Sequence, residues 1–208
     1  MKAQQILKSE EFKKCAEFHG HVCPGLSLGY KAAKLAMQKL AQARAEDEEM
    51  VAIVETDACS ADAVQVLTGC TFGKGNLIYK DYGKMVLTLL SRKTGRGVRV
   101  ALRQGAFSLD ETLLALLRKI ISSQADEEDL ILFHKLREQR TRDVLETTDD
   151  DLFAVTAVQK KLPPVAKIEP STPCSRCGEP TMQTKLENVN GAKLCRGCIE
   201  ESRGGDAG

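Results

Sequence analysis

The sequence predicts an α+β protein: a mixed or antiparallel sheet core with flanking helices, followed by a small treble-clef or ribbon-like zinc finger. Three observations predict it. Apolar residues recur at helical spacing early in the chain and again around 113–145. Short apolar runs bounded by glycine lie between them, and two Cys-x-x-Cys pairs come near the end.

Residues 6–18 carry a short apolar face and are expected to form one helix. His19-Gly20-His21-Val22-Cys23 interrupts it, and Pro24 then stands where a first helical residue is favoured, because its missing N–H has no partner there. Leu28, Ala32, Leu35, Ala36 and Leu40 continue this second helix as a core-facing stripe, and Gly25 and Gly29 leave room for close packing on its first turns. A buried strand at 51–54 runs into Asp57-Ala58-Cys59, with a short helix over 60–67 and a glycine-rich loop at 69–76. Strands are expected at 77–79, 85–90 and 98–102, the last two joined by a Thr94-Gly95-Arg96-Gly97 hairpin turn. Ser108-Leu109-Asp110-Glu111 has the form of a capping box before a helix at 113–121. An amphipathic helix at about 127–145 and a strand at 153–158 complete the core, giving a first domain of residues 1–162. Four prolines then mark 163–173 as an extended linker to a 174–208 module.

Thirty basic and twenty-nine acidic residues leave a net charge of +1, which argues against a partner found by bulk charge, such as nucleic acid or an anionic membrane. No run reaches the roughly 18 apolar residues of a membrane span. The Met1-Lys2-Ala3-Gln4-Gln5 start lacks a signal peptide's apolar run, so the expected compartment is the cytoplasm. Eight cysteines in a reducing compartment point to metal or redox chemistry rather than disulfides.

Cys174, Cys177, Cys195 and Cys198 form two CxxC knuckles at the spacing of a four-cysteine zinc site. A segment this short, with few large apolar side chains, needs such a staple. From Cys174 onward five basic residues meet five acidic ones and there is no aromatic side chain, so the module lacks the marks of a nucleic-acid reader.

In the core, His19, His21 and Cys23 alternate, which puts all three on one face of an extended stretch. Imidazole and thiolate together suit zinc, iron, copper or nickel, so a second metal, of unassigned identity, is expected here. Cys23 also falls at a helix N-cap, where the helix dipole is expected to lower its thiol pKa. Cys59 and Cys70, each taken alone, read as ordinary core cysteines. Cys15 reads as structural and His134 as a surface residue. Gly73-Lys74-Gly75 falls short of a phosphate loop, having three residues between Gly69 and Gly73 where four are needed, yet its backbone N–H groups can take an anion or small molecule.

Phe18-His-Gly-His-Val-Cys-Pro-Gly-Leu26, then Glu55-Thr-Asp-Ala-Cys59 with Asp62-Ala-Val-Gln65, then Thr68-Gly-Cys-Thr-Phe-Gly-Lys-Gly-Asn76, resemble the FmdE family of formylmethanofuran dehydrogenase proteins in order and type. The C-terminal module looks like the auxiliary zinc finger of some members. The resemblance implies a homodimeric α+β core with a metal or ligand site drawn from His19, His21, Cys23, Asp57, Cys59, Cys70 and Lys74. It also implies an oxidoreductase role in formylmethanofuran and one-carbon metabolism, with molybdenum or tungsten dehydrogenase subunits as partners. On that reading Cys23 or Cys59 is ligand or nucleophile, and Asp57 or Asp62 a proton acceptor or a support to a ligand; Gly73, Lys74, Gly75 and Asp62 are the ligand-binding candidates. The competing expectation is a non-catalytic metal- or ligand-binding accessory protein whose zinc finger docks a partner.

Overall fold

The computed structural model describes residues 2–108, 111–165 and 169–202. The chain divides into two compact units, residues 1–165 and 166–208.

Residues 6–18 do not form a single helix. They split into α1 (Ala3–Leu7) and α2 (Glu10–His19), because the Ser9 hydroxyl caps the second helix by accepting from Phe12 N at 3.3 Å. α3 (Pro24–Leu40) is the central helix, followed by β1 (Met50–Val54), α4 (Ser60–Thr68), β2 (Leu77–Tyr79), β3 (Val86–Ser91) and β4 (Gly97–Leu102). α5 (Glu111–Ile121), α6 (Glu127–Glu146), the short α7 (Asp149–Leu152) and β5 (Phe153–Val158) close the unit. The expected Ser108–Glu111 capping box falls partly on residues 109 and 110, outside the described residues.

The five strands run in the order β2-β1-β3-β4-β5. β2 lies parallel to β1, and every other neighbour is antiparallel, so the sheet is mixed. A parallel pair needs a crossover, which α4 supplies. Every β1 residue is buried: Met50, Ala52 and Val54 join the main core with Leu26, Ala33 and Leu87, while Val51 and Ile53 meet Leu90 in a smaller cluster.

The glycines of α3 carry the packing that matters for the site. A Cβ on Gly29 would sit 2.3 Å from the Ser60 carbonyl oxygen, so α3 touches the first turn of α4 backbone to backbone. No other residue type fits that contact. The loop leading into β2 is clipped from inside: Asn76, fully buried, donates to Asp47 O and Met50 O (3.1 Å each) and accepts from Thr71 N (2.9 Å).

The second unit is two small hairpins and a helix: β6 (Ser171–Pro173) with β7 (Pro180–Met182), β8 (Leu186–Val189) with β9 (Ala192–Cys195), then α8 (Arg196–Ser202). β6 lies inside the stretch expected to be linker. No described helix is long and apolar enough to cross a membrane.

Candidate metal centres

In the second unit all four cysteine sulfurs lie within 4.8 Å of one another. Cys174 Sγ is 3.8 Å from Cys198 Sγ, and Cys177 Sγ is 3.9 Å from Cys195 Sγ. The first knuckle turns tightly because Gly178, at φ +75°, lets its N–H return to Cys174 O (2.9 Å). The second knuckle opens α8, giving the knuckle, hairpin and helix of a treble clef. Backbone N–H groups of Cys195 (3.3 Å) and Arg176 (3.5 Å) point at Cys174 Sγ and hold its pKa down to about 6. Burial and the surrounding thiols push Cys198 up to about 12. That split belongs to four thiols crowded together; a bound cation makes thiolates of them all.

In the first unit α2 ends at His19, where Gly20 adopts φ +90° and reverses the chain. Cys23 is extended and N-caps α3, its sulfur accepting from Leu26 N at 3.4 Å as a serine oxygen would. His19 Nδ1 meets Asp62 Oδ2, on the first turn of α4, at 2.7 Å. This hydrogen bond fixes the imidazole and leaves Nε2 facing Cys23 Sγ at 3.8 Å. The His21 ring lies against that of His19, with centroids 4.4 Å apart. One donor from each of His19, His21 and Cys23 falls within a 4.8 Å cluster. Two imidazoles and a thiol, one imidazole oriented by a carboxylate, make a donor set that fits a zinc-like ion.

The thiol of Cys23 departs from the sequence expectation. Burial raises its pKa to about 11 and outweighs the Leu26 N–H that favours the thiolate, with neighbouring Cys59 raising it further. At an N-cap as buried as this, desolvation beats the helix dipole. His21 is shifted the opposite way: burial, then His19, then Arg137 disfavour its charged form.

The remaining candidates scatter. Cys59 is half-buried at the start of α4 and stands beside Cys23. Cys70 is fully buried and lies outside the three-donor cluster, with burial raising its pKa. Asp57 is exposed between β1 and α4, where it joins burial and Asp81 in disfavouring the Tyr79 phenolate. Lys74 Nζ donates to Asp47 O (2.9 Å) and Glu46 O (3.3 Å), which ties the Gly73–Gly75 turn to the preceding loop.

Two further side chains border the site. Gln65 Nε2 donates to Asp62 Oδ1 (3.4 Å) while Gln65 Oε1 accepts from Phe72 N (3.4 Å), steadying the carboxylate that orients His19. Arg137 of α6 contacts His134 Nδ1 at 3.3 Å, and both line a groove of about 290 Å³ with Val22, beside His21.

Residues 18–154 match the family described as "FmdE, Molybdenum formylmethanofuran dehydrogenase operon". The chain belongs to this family. Residues 167–202 match the prokaryotic dksA/traR C4-type zinc finger, so the second unit is a four-cysteine zinc-binding module. Among relatives, the chain is 36% identical over 189 residues to a "Probable S-adenosyl-L-methionine-binding protein" of Archaeoglobus fulgidus. That match takes in 88% of this chain but 50% of the archaeal protein, so the chain spans about half the length of this curated relative. Its fold is similar to the crystal structure of a tungsten formylmethanofuran dehydrogenase FmdE-like protein from Syntrophus aciditrophicus, with a TM-score of 0.58 and 28% identity over 95% of this chain and 96% of that one. This family member is therefore a metal-binding protein with an FmdE core and a C-terminal zinc finger.

Proposed function

We propose that the core of this FmdE-family protein is a second metal site, with His19, His21 and Cys23 as ligands, serving one-carbon redox chemistry of the formylmethanofuran type alongside partner subunits. The observation that carries it is the Asp62–His19–Cys23 relay at 2.7 and 3.8 Å, with His21 completing the donor set. A bound ion would supply Lewis acidity at an open coordination position. Around it, Asp62 holds the Nδ1 proton of His19 so that Nε2 presents a lone pair. Cys23 would supply the anionic ligand, and Asp57, exposed between β1 and α4, is the proton acceptor of this reading. Nothing in the sequence resembles a molybdopterin-binding subunit, so dehydrogenase turnover belongs to a partner.

Protein association, including a homodimer, is supported by apolar side chains left open on α5 and α6: Ile121 is 81% exposed and Ile131 62%. Light scattering of the purified protein gives the assembly size.

The deciding experiment is metal content of the full chain purified without oxygen. The expected result is one ion in the finger plus one in the core, the second lost in His21→Ala and Cys23→Ser. Equal metal in wild type and both variants rejects the core site.

The archaeal relative's name favours a second reading, in which the shared half binds S-adenosyl-L-methionine without turnover. Calorimetric titration of that compound into the full chain tests it, and an absence of heat retires it.

A further inference from the structure

Cys59 lies outside the three-donor cluster yet stands against one of its members. A Cβ on Gly25 would lie 3.2 Å from Cys59 Cβ, 3.7 Å from Cys59 Sγ and 4.0 Å from Cys23 Sγ. Both sulfurs thus border one bare α-carbon in the first turn of α3. The two thiols interact, Cys59 disfavouring the ionisation of Cys23. Their spacing is set by rigid parts: Cys23 caps α3, Cys59 precedes α4, and those helices touch backbone to backbone at Gly29 and Ser60. The pair is also unequal in access, since Cys23 is 6% exposed and Cys59 half-buried.

We propose that Cys23 and Cys59 form a reversible disulfide that withdraws the sulfur ligand from the core metal, so that occupancy answers to small-molecule disulfides. The inference rests on the metal reading of His19, His21 and Cys23. The more exposed Cys59 thiolate attacks a small disulfide RSSR, forming a mixed disulfide and releasing one RSH after protonation. Cys23 sulfur then attacks Cys59 Sγ, forms the internal S–S bond and expels the second RSH. Two protein thiols are oxidised, one RSSR is reduced to two RSH, and the Cys23 proton or the displaced metal ion balances the charge. A disulfide sulfur carries no negative charge, so the ion keeps only His19 and His21 and leaves. The core's other cysteines are poor competitors: Cys15 and Cys70 are fully buried, and burial holds the Cys15 thiol at a pKa of about 11.

The test uses the full, zinc-loaded chain titrated with oxidised glutathione. Zinc release is followed with a chromogenic chelator, and disulfides are mapped by mass spectrometry after alkylation, with Cys59→Ser in parallel. The finger's zinc responds equally in both proteins, so the difference reports the core. The expected result is a peptide pair linking Cys23 to Cys59 that grows in step with core zinc loss, reverses with dithiothreitol, and has no counterpart in Cys59→Ser, which keeps its core zinc. Gly25→Ala, which pushes against Cys59 Cβ, is expected to lower the yield of linked peptide while the core zinc stays. Equal zinc loss in Cys59→Ser, or no linked peptide in wild type, overturns the proposal. So does absence of core zinc from reduced Cys59→Ser, which makes Cys59 a ligand. No core zinc in reduced wild type instead rejects the metal reading itself, and the peptide map still decides whether the two cysteines pair.

Discussion

The two cysteine-bearing sites of this protein are built on opposite plans. In the C-terminal unit four sulfurs face one another inside a fold of short hairpins, and every donor position of a tetrahedral ion is filled by protein. In the core two imidazoles and a thiol sit where α2 ends and α3 begins, with a carboxylate of α4 behind one of them. The first arrangement makes a metal part of the fold. The second offers three protein donors with the thiol of Cys59 standing beside one of them.

The largest effect that would break this contrast is removal of the finger's metal. Cys198→Ser, or chelation, is expected to unfold residues 169–202, because structural zinc contributes about 10–16 kcal/mol in comparable modules. Hydrogen exchange should then show lost protection there and unchanged protection in β1 and β3. Loss of protection in both units would end the distinction.

Asp62→Asn sharpens the contrast from the other side. An amide cannot take the His19 Nδ1 proton as a carboxylate does, so core metal affinity should fall by about 10–100-fold while the finger's is unchanged. Competition with a calibrated chelator measures both. Gly29→Ala comes next: its Cβ would meet backbone rather than a yielding side chain, and the expected cost is about 1–3 kcal/mol in the core's unfolding transition, with weaker core metal binding as α4 shifts. An unchanged melting curve would mean that the α3–α4 contact has slack.

The smallest effect concerns His21. Burial comes first in holding its pKa below the ordinary value, followed by His19 and then Arg137. Arg137→Gln removes a positive neighbour of the imidazolium, so the pKa should rise. Since the folded state disfavours the protonated ring, His21 contributes stability above its unfolded pKa that is lost as pH falls through the folded one, and Arg137→Gln should shrink that contribution. An NMR titration of metal-free protein reads the shift directly, and a downward movement would contradict it.

Much of this was legible locally. Pro24 after Cys23 marked the helix start, Gly25 and Gly29 marked the close approach of another element, and the CxxC spacing marked the finger. What the sequence hid was tertiary. His19 and Asp62 are 43 residues apart, and only the fold brings them to 2.7 Å. The same holds for Lys74, which looked free to meet an anion until the 46–50 segment folded beneath it. Cys59 and Cys70, near-equivalent as letters, part company because one precedes a helix at the surface and the other is fully buried. The Ser9 break in the first helix was a local signal, overlooked because the apolar face runs past it.

β2 has a consequence for solubility. A sheet's outer strand can recruit a foreign strand, and aggregation begins that way. On this side of the sheet that margin is three residues long, held by the Asn76 clip rather than by an extended ladder. A passing chain finds almost nothing there to pair with. The opposite margin, β5, is six residues long and runs into Lys160, Lys161 and then Pro163 and Pro164, whose carbonyls Arg92 holds at 2.7 and 3.2 Å. Charge and proline guard the long edge, and brevity guards the short one.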